Sequence, residues 1–159
     1  MNAVILEKCF KYFTNMRIIL EPIERSVAKY NWLITDFECN HYPDDRITMD
    51  QEYAWLSGQE LLEIVENYEI QFIWAVFSAF PKDVPLDIAV LSELPYADGN
   101  PRFWQNPVTV QHPLAIMEIV AWDSTLMLLI TKDQVVMDAF VQHFPFAKNL
   151  EEQNAQRSR

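Results

Sequence analysis

The hydrophobic pattern along the chain changes period several times, and each change predicts an element. From Val4 to Leu20 the apolar residues Leu6, Cys9, Phe10, Phe13, Met16 and Leu20 recur at spacings of three and four, the stripe of an amphipathic helix that Pro22 should end. Tyr30 to Glu38 then alternates and is rich in β-formers, which predicts a first strand, and the polar run Asn40 to Asp50 reads as a loop. Ser57 stands three residues before Glu60, ahead of Leu61, Leu62, Val65 and Tyr68. That is a capping box opening a short helix from about Gly58 to Tyr68. Ile70 to Phe80 is apolar on both alternating faces, as a strand in the middle of a covered sheet must be, and Pro81 closes it. A short strand is expected from Leu86 to Leu91, followed by a loop punctuated by Pro95, Gly99, Pro101 and Pro107. Ala115 to Trp122 and Leu126 to Thr131 form a hairpin about Asp123, Ser124 and Thr125. Asp133 caps a last helix carrying Val136, Phe140 and Phe144 up to Pro145.

This order favours an α+β fold, with a mostly antiparallel sheet of about four to five strands flanked by helices, over a doubly wound parallel one. At 159 residues the chain suits a single domain, which at this size buries about 68 to 70% of its unfolded surface. The domain is placed at 1–148, with 149–159 a polar C-terminal tail expected to fray. No run reaches the ~18 uninterrupted apolar residues of a membrane-spanning helix, and Met1 to Phe13 mixes charges into its apolar residues unlike a signal peptide. A cytoplasmic protein is expected, with no membrane partner. Cys9 and Cys39 are the only cysteines and are read as free thiols.

Charge is where the pattern becomes informative about partners. Residues 36–98 hold fourteen acids against two bases, Arg46 and Lys82, whereas the rest of the chain holds nine acids and ten bases; the whole net charge of −11 belongs to one stretch. Such a field repels nucleic acid and anionic lipid and attracts a cationic surface. With only two glycines, Gly58 and Gly99, the chain lacks the crowded backbone amides of phosphate-cradling loops, so Walker-type and Rossmann-type nucleotide sites are excluded. Twelve scattered Lys and Arg are a poor footprint for nucleic acid. No cofactor is expected.

Glu60, Glu63 and Glu66 line one outward ridge of the predicted second helix, and Asp44, Asp45, Asp50 and Glu52 precede it with Tyr42, Tyr53 and Trp55 interleaved. Rings beside carboxylates suit an interface for a basic protein, in which acids steer encounter and rings anchor; the competing reading is a solvated face whose rings turn inward. Two other groups could support chemistry. Asp36, Glu38, Cys39, His41, Asp44 and Asp45 are ligand types dense enough to gather a cation, although their spacing matches no recognised metal site and no metal is assigned. Glu118, set among Ile116, Met117, Ile119 and Val120, would have a raised pKa on a covered face and could serve acid–base work, though inward charges also protect strand edges. His112 and His143 have no nucleophile nearby in sequence, and no catalytic residue is assigned.

The stretches ILEPIERSVAKYNWLITD, FIWAVFSAFP and EIVAWDSTLMLLITKD, with a closing helix ending in FP, resemble the small acidic α+β immunity proteins that bacteria encode beside toxins, and are also similar to uncharacterised bacterial domains of the same size. The resemblance implies a cytoplasmic protein without catalysis that neutralises a cognate basic toxin one to one. It transfers no site residue. The alternatives are a small-molecule or metal-binding domain or enzyme built on Glu118 or the Asp36/Cys39/His41/Asp44/Asp45 cluster, and an acidic adaptor subunit.

Overall fold

Among the described residues seven antiparallel strands form one sheet in the order β3-β2-β4-β5-β6-β1-β7: β1 Ala3–Glu7, β2 Asn31–Cys39, β3 Tyr53–Ser57, β4 Phe72–Phe80, β5 Met117–Trp122, β6 Leu126–Thr131 and β7 Lys148–Asn149. The computed structural model describes residues 1–7 and 14–159. The α+β class and the antiparallel sheet match expectation, but the strand count of four to five does not. β1, β3 and β7 were not foreseen, and one foreseen strand is absent.

The first correction concerns Val4–Leu20. Its leading part is β1, and only Met16–Leu20 is helical (α1), capped by the Asn15 side chain, which accepts the Arg17 N–H at 3.0 Å. Ala3, Val4, Ile5 and Leu6 are four consecutive buried residues between β6 and β7, which a strand covered on both faces accommodates and an amphipathic helix does not. Cys9, Phe10 and Phe13 lie outside the described residues. The second correction is Leu86–Leu91, where Leu86–Ala89 makes a single helical turn (α4) after Pro85. The third is the tail. Leu150–Arg157 is helical (α6); Asn149 caps it, and its Leu150 and Asn154 are buried.

Both faces of the sheet are covered. On one, α1, the turn Glu21–Ile23, α2 (Glu24–Val27), α3 (Gly58–Asn67) and α5 (Gln134–His143) pack Ile19, Leu61, Ile64, Val136 and Phe140 onto Trp32, Ile34, Phe77, Ile119 and Leu129. On the other, the long segment 81–116 and α6 cover Leu33, Val76, Phe80, Val120 and Ile130. The β5–β6 hairpin closes through Asp123 and Ser124, both at positive φ (48° and 57°), with Thr125 donating to the Trp122 carbonyl at 3.0 Å. Short polar side chains tolerate that left-handed backbone.

The capping box is formed as expected. Ser57 Oγ accepts the Glu60 N–H at 3.1 Å and the Glu60 carboxylate accepts the Ser57 N–H at 2.7 Å. Ser57→Ala should therefore lower stability by about 1 kcal/mol in denaturant unfolding, with the loss confined to the α3 cap.

Candidate functional site

α3 leaves β3 without a linker, so the capping box fixes its direction and hence the side on which its carboxylates emerge. Leu61, Ile64 and Val65 turn into the core, and Gln59, Glu63 and Glu66 face solvent. The α1–α2 segment packs alongside. Between them runs a groove lined by Arg17, Leu20, Glu21, Glu24, Gln59, Leu62, Glu63, Val65, Glu66 and Asn67. Four of these are carboxylates and one is a cation. Arg17 approaches Glu66 at 3.4 Å, but with 58% and 68% of the two side chains exposed the pair is largely screened and leaves the groove negative.

Glu21 and Glu24 fall outside the acidic window 36–98 and were not singled out from sequence. Their three-residue spacing is a local signal of a shared helical face, but only the packing of this segment against α3 sets them opposite Glu63 and Glu66.

The expected acids and rings are not brought into one patch. Asp44 is engaged by Arg46, which donates from Nε and Nη2 at 2.9 Å each, and Asp44 also caps the Arg46 N–H; these bonds hold its carboxyl below the usual range. Arg46 reaches on to Glu63 at 3.3 Å, joining the loop to α3. Asp50 accepts the Thr48 hydroxyl at 2.8 Å, which lowers its pKa, while Asp45 and Glu52 are exposed. Glu60 is committed to the cap. Tyr42 is half-buried against the helix-side core, and its hydroxyl accepts the Cys39 N–H at 3.1 Å. Tyr53 and Trp55 point to the opposite face of the sheet, where Trp55 meets Phe80 with centroids 5.9 Å apart. The sheet itself separates these two rings from the Glu63 and Glu66 ridge.

The Asp36 to Asp45 cluster is also dispersed. Asp36, at positive φ (48°) where β2 breaks register with β4, accepts the Ala97 and Asp98 N–H groups at 2.7 and 2.8 Å and so anchors the covering segment. Cys39 is a free thiol that burial pushes up to about 12, and His41 is exposed. Among the described residues no three His, Cys, Asp or Glu side chains are grouped to hold a metal.

Glu118 is wholly buried, which decides between the covered and the edge-protecting readings of its strand. Its place in the sheet is a row running Trp55, Leu33, Ser78, Glu118, Ile130 and Ala3 across six strands. One carboxylate oxygen accepts the backbone N–H groups of Gln111 (2.8 Å) and His112 (3.0 Å); the other has no hydrogen bond among the described residues. Burial raises its pKa to about 7 against the pull of those two N–H groups and, weakly, of Lys132 and Arg102. His112 packs edge-on against Phe80 at 4.7 Å and is buried, which lowers its pKa. Its Nδ1 accepts the Leu114 N–H at 3.1 Å; its Nε2 closes no well-aligned hydrogen bond, although the Ala89 carbonyl draws the pKa partly back up. Gln111 in turn ties Tyr96 and Asn100, so Glu118 organises the segment covering it.

Comparison with known proteins returns no matching family model, no matching curated protein and no matching solved structure. Among the described residues no helix is long and apolar enough to cross a membrane.

Proposed function

We propose that this chain is a non-catalytic, immunity-type binding protein whose helical face receives a cationic element of a cognate basic toxin. The observation that carries this reading is the groove between α1–α2 and α3, where Glu21, Glu24, Glu63 and Glu66 share a lining whose one cation among the described residues is Arg17, with Arg46 reaching Glu63 from the neighbouring loop. A concave surface with a net negative lining focuses its field, which raises encounter rates with an oppositely charged partner by about 10- to 1,000-fold at low salt. The net charge of −11 extends the same attraction beyond contact distance. An enzyme built on Glu118 is disfavoured by position, because Glu118 and Ser78 are both at 0% exposure and their carboxyl and hydroxyl meet packed segment rather than solvent. The adaptor reading shares the acidic groove and differs only in what binds it.

The test is association with the protein encoded by the adjacent open reading frame. Co-purification that weakens steeply with salt, and an association rate reduced by about tenfold or more at low salt in Glu63→Lys/Glu66→Lys, is the expected result. Both residues are exposed, so the double variant should fold normally. Salt-independent binding unaffected by charge reversal would overturn the groove's role, and no binding to a basic neighbour would overturn the immunity reading.

A further inference from the structure

Among the described residues β3 is the outermost strand on its side of the sheet, and β2 is its only strand partner. Peptide groups along an antiparallel strand point alternately toward and away from the neighbour. Gly58, continuing the β2–β3 register, donates to the Tyr30 carbonyl at 2.9 Å, whereas the Ser57 N–H turns the other way, to the Glu60 carboxylate. Counting back by twos, Leu56 and Ala54 face β2, and the N–H and C=O groups of Trp55 and Tyr53 face outward. No hydrogen bond from the described residues reaches those four groups. Proteins ordinarily blunt such an edge with lysine, proline or a bulge. Tyr53–Ser57 (YAWLS) contains none of these, and its Tyr and Trp favour the extended backbone.

Charge selects the occupant. Exposed Glu52 precedes the open edge, and the Glu60 carboxylate is held at its far end by the Ser57 N–H. A second copy pairing antiparallel across this edge would set Glu52 against the other copy's Glu60 at both ends, between chains that each carry −11. A cationic segment meets attraction at the same two places. We infer that the β3 edge accepts an extended segment of the partner as an added strand, bonded to the Tyr53 and Trp55 backbone and carrying Lys or Arg at its ends. This rests on the reading of a basic partner, and locates one of its contacts on the sheet edge rather than in the groove.

The probe is a capped peptide, Lys-Lys-Val-Thr-Val-Thr-Lys-Lys, beside a twin N-methylated at its two central residues, so that each edge loses a donor while the charge is unchanged. Amide hydrogen exchange and chemical shifts are followed on the full chain at low salt with peptide in large excess. The plain peptide should slow exchange at Tyr53 and Trp55 by about tenfold or more, and the twin should not. In Tyr53→Pro, which removes an outward N–H and spares the bonds to β2, the protection of Trp55 should vanish while Gly58 remains slow. Equal protection by the twin, or unchanged Tyr53 and Trp55 exchange, overturns the assignment. If both peptides shift Glu63 and Glu66 and leave β3 unmoved, the basic-partner reading stands without the edge. If neither peptide shifts anything, both fall.

Discussion

Gly58→Ala should destabilise the fold by about 3 kcal/mol or more, although helix propensity alone assigns the same change a gain of about 1 kcal/mol. Gly58 is the first residue of α3, and its hydrogen atom faces the end of α2. A methyl group there would lie 2.8 Å from the Val27 carbonyl carbon and from Ala28 Cα, and closer still to the Val27 carbonyl oxygen. All three are backbone atoms, so no side chain can swing aside. Relief requires α2 and α3 to separate, which pulls on the Gly58 N–H bond to Tyr30 and on the Trp32 indole bond to the Val27 carbonyl (3.0 Å). Trp32 is fully buried at the centre of the helix-side core, so the disturbance reaches well beyond the turn. Gly99 gives the contrast: its φ is +74° with nothing within 4 Å of an added methyl, so alanine there should cost only about 1–2 kcal/mol from the left-handed backbone. Urea unfolding of the two variants decides the matter. A Gly58→Ala protein within half a kcal/mol of the parent would mean that the helices separate freely and that this contact does not hold them.

What could be read from the sequence follows from how locally each element is determined. The β4 run, the β5–β6 hairpin, the Ser57–Glu60 box and the Asp133 cap each rest on residues a few positions apart, and each is present. β1 is different, because its four buried residues make sense only with β6 on one side and β7 on the other, from opposite ends of the chain. β3 is five residues long and its alternation could not be told from loop, yet that alternation sends Tyr53 and Trp55 to one face and Ala54 and Leu56 to the other. The consequence for the site is direct. The carboxylate ridge of α3 was legible because helical period fixes it, whereas the rings counted with it are sorted by a strand that had not been recognised. Glu21 and Glu24 enter the groove through packing of the Glu21–Ile23 turn and α2 beside α3, a long-range fact that spacing alone does not give.

The same distinction gives Glu118 its consequence, since the sequence leaves open whether its face is covered or wet and says nothing of its partners. With a pKa of about 7 in the fold against an ordinary 4.5, the folded protein keeps the proton across a range where the unfolded chain releases it. The associated stability is therefore fully present below pH 4.5, is lost progressively as pH rises to 7, and changes no further above; its size is about 3 kcal/mol. His112 works in the opposite sense. Its lowered pKa makes the folded state release a proton before the unfolded chain does, so its contribution is lost as pH falls below 6.5. In the parent the two partly offset, which is why the informative quantity is a difference. Glu118→Gln keeps an oxygen for the Gln111 and His112 N–H groups and removes only the ionisation. Its stability relative to the parent should move by about 3 kcal/mol in its favour between pH 4.5 and 7 and then level off, with the His112 contribution common to both. Glu118→Ala removes the acceptor as well as the charge, leaving two buried N–H groups without a partner, and should fall below Glu118→Gln by about 2–4 kcal/mol even at pH 4.5. Parallel stability curves for the parent and Glu118→Gln across that window would show that the carboxyl ionises freely in the fold, and that water reaches beneath the 111–113 segment.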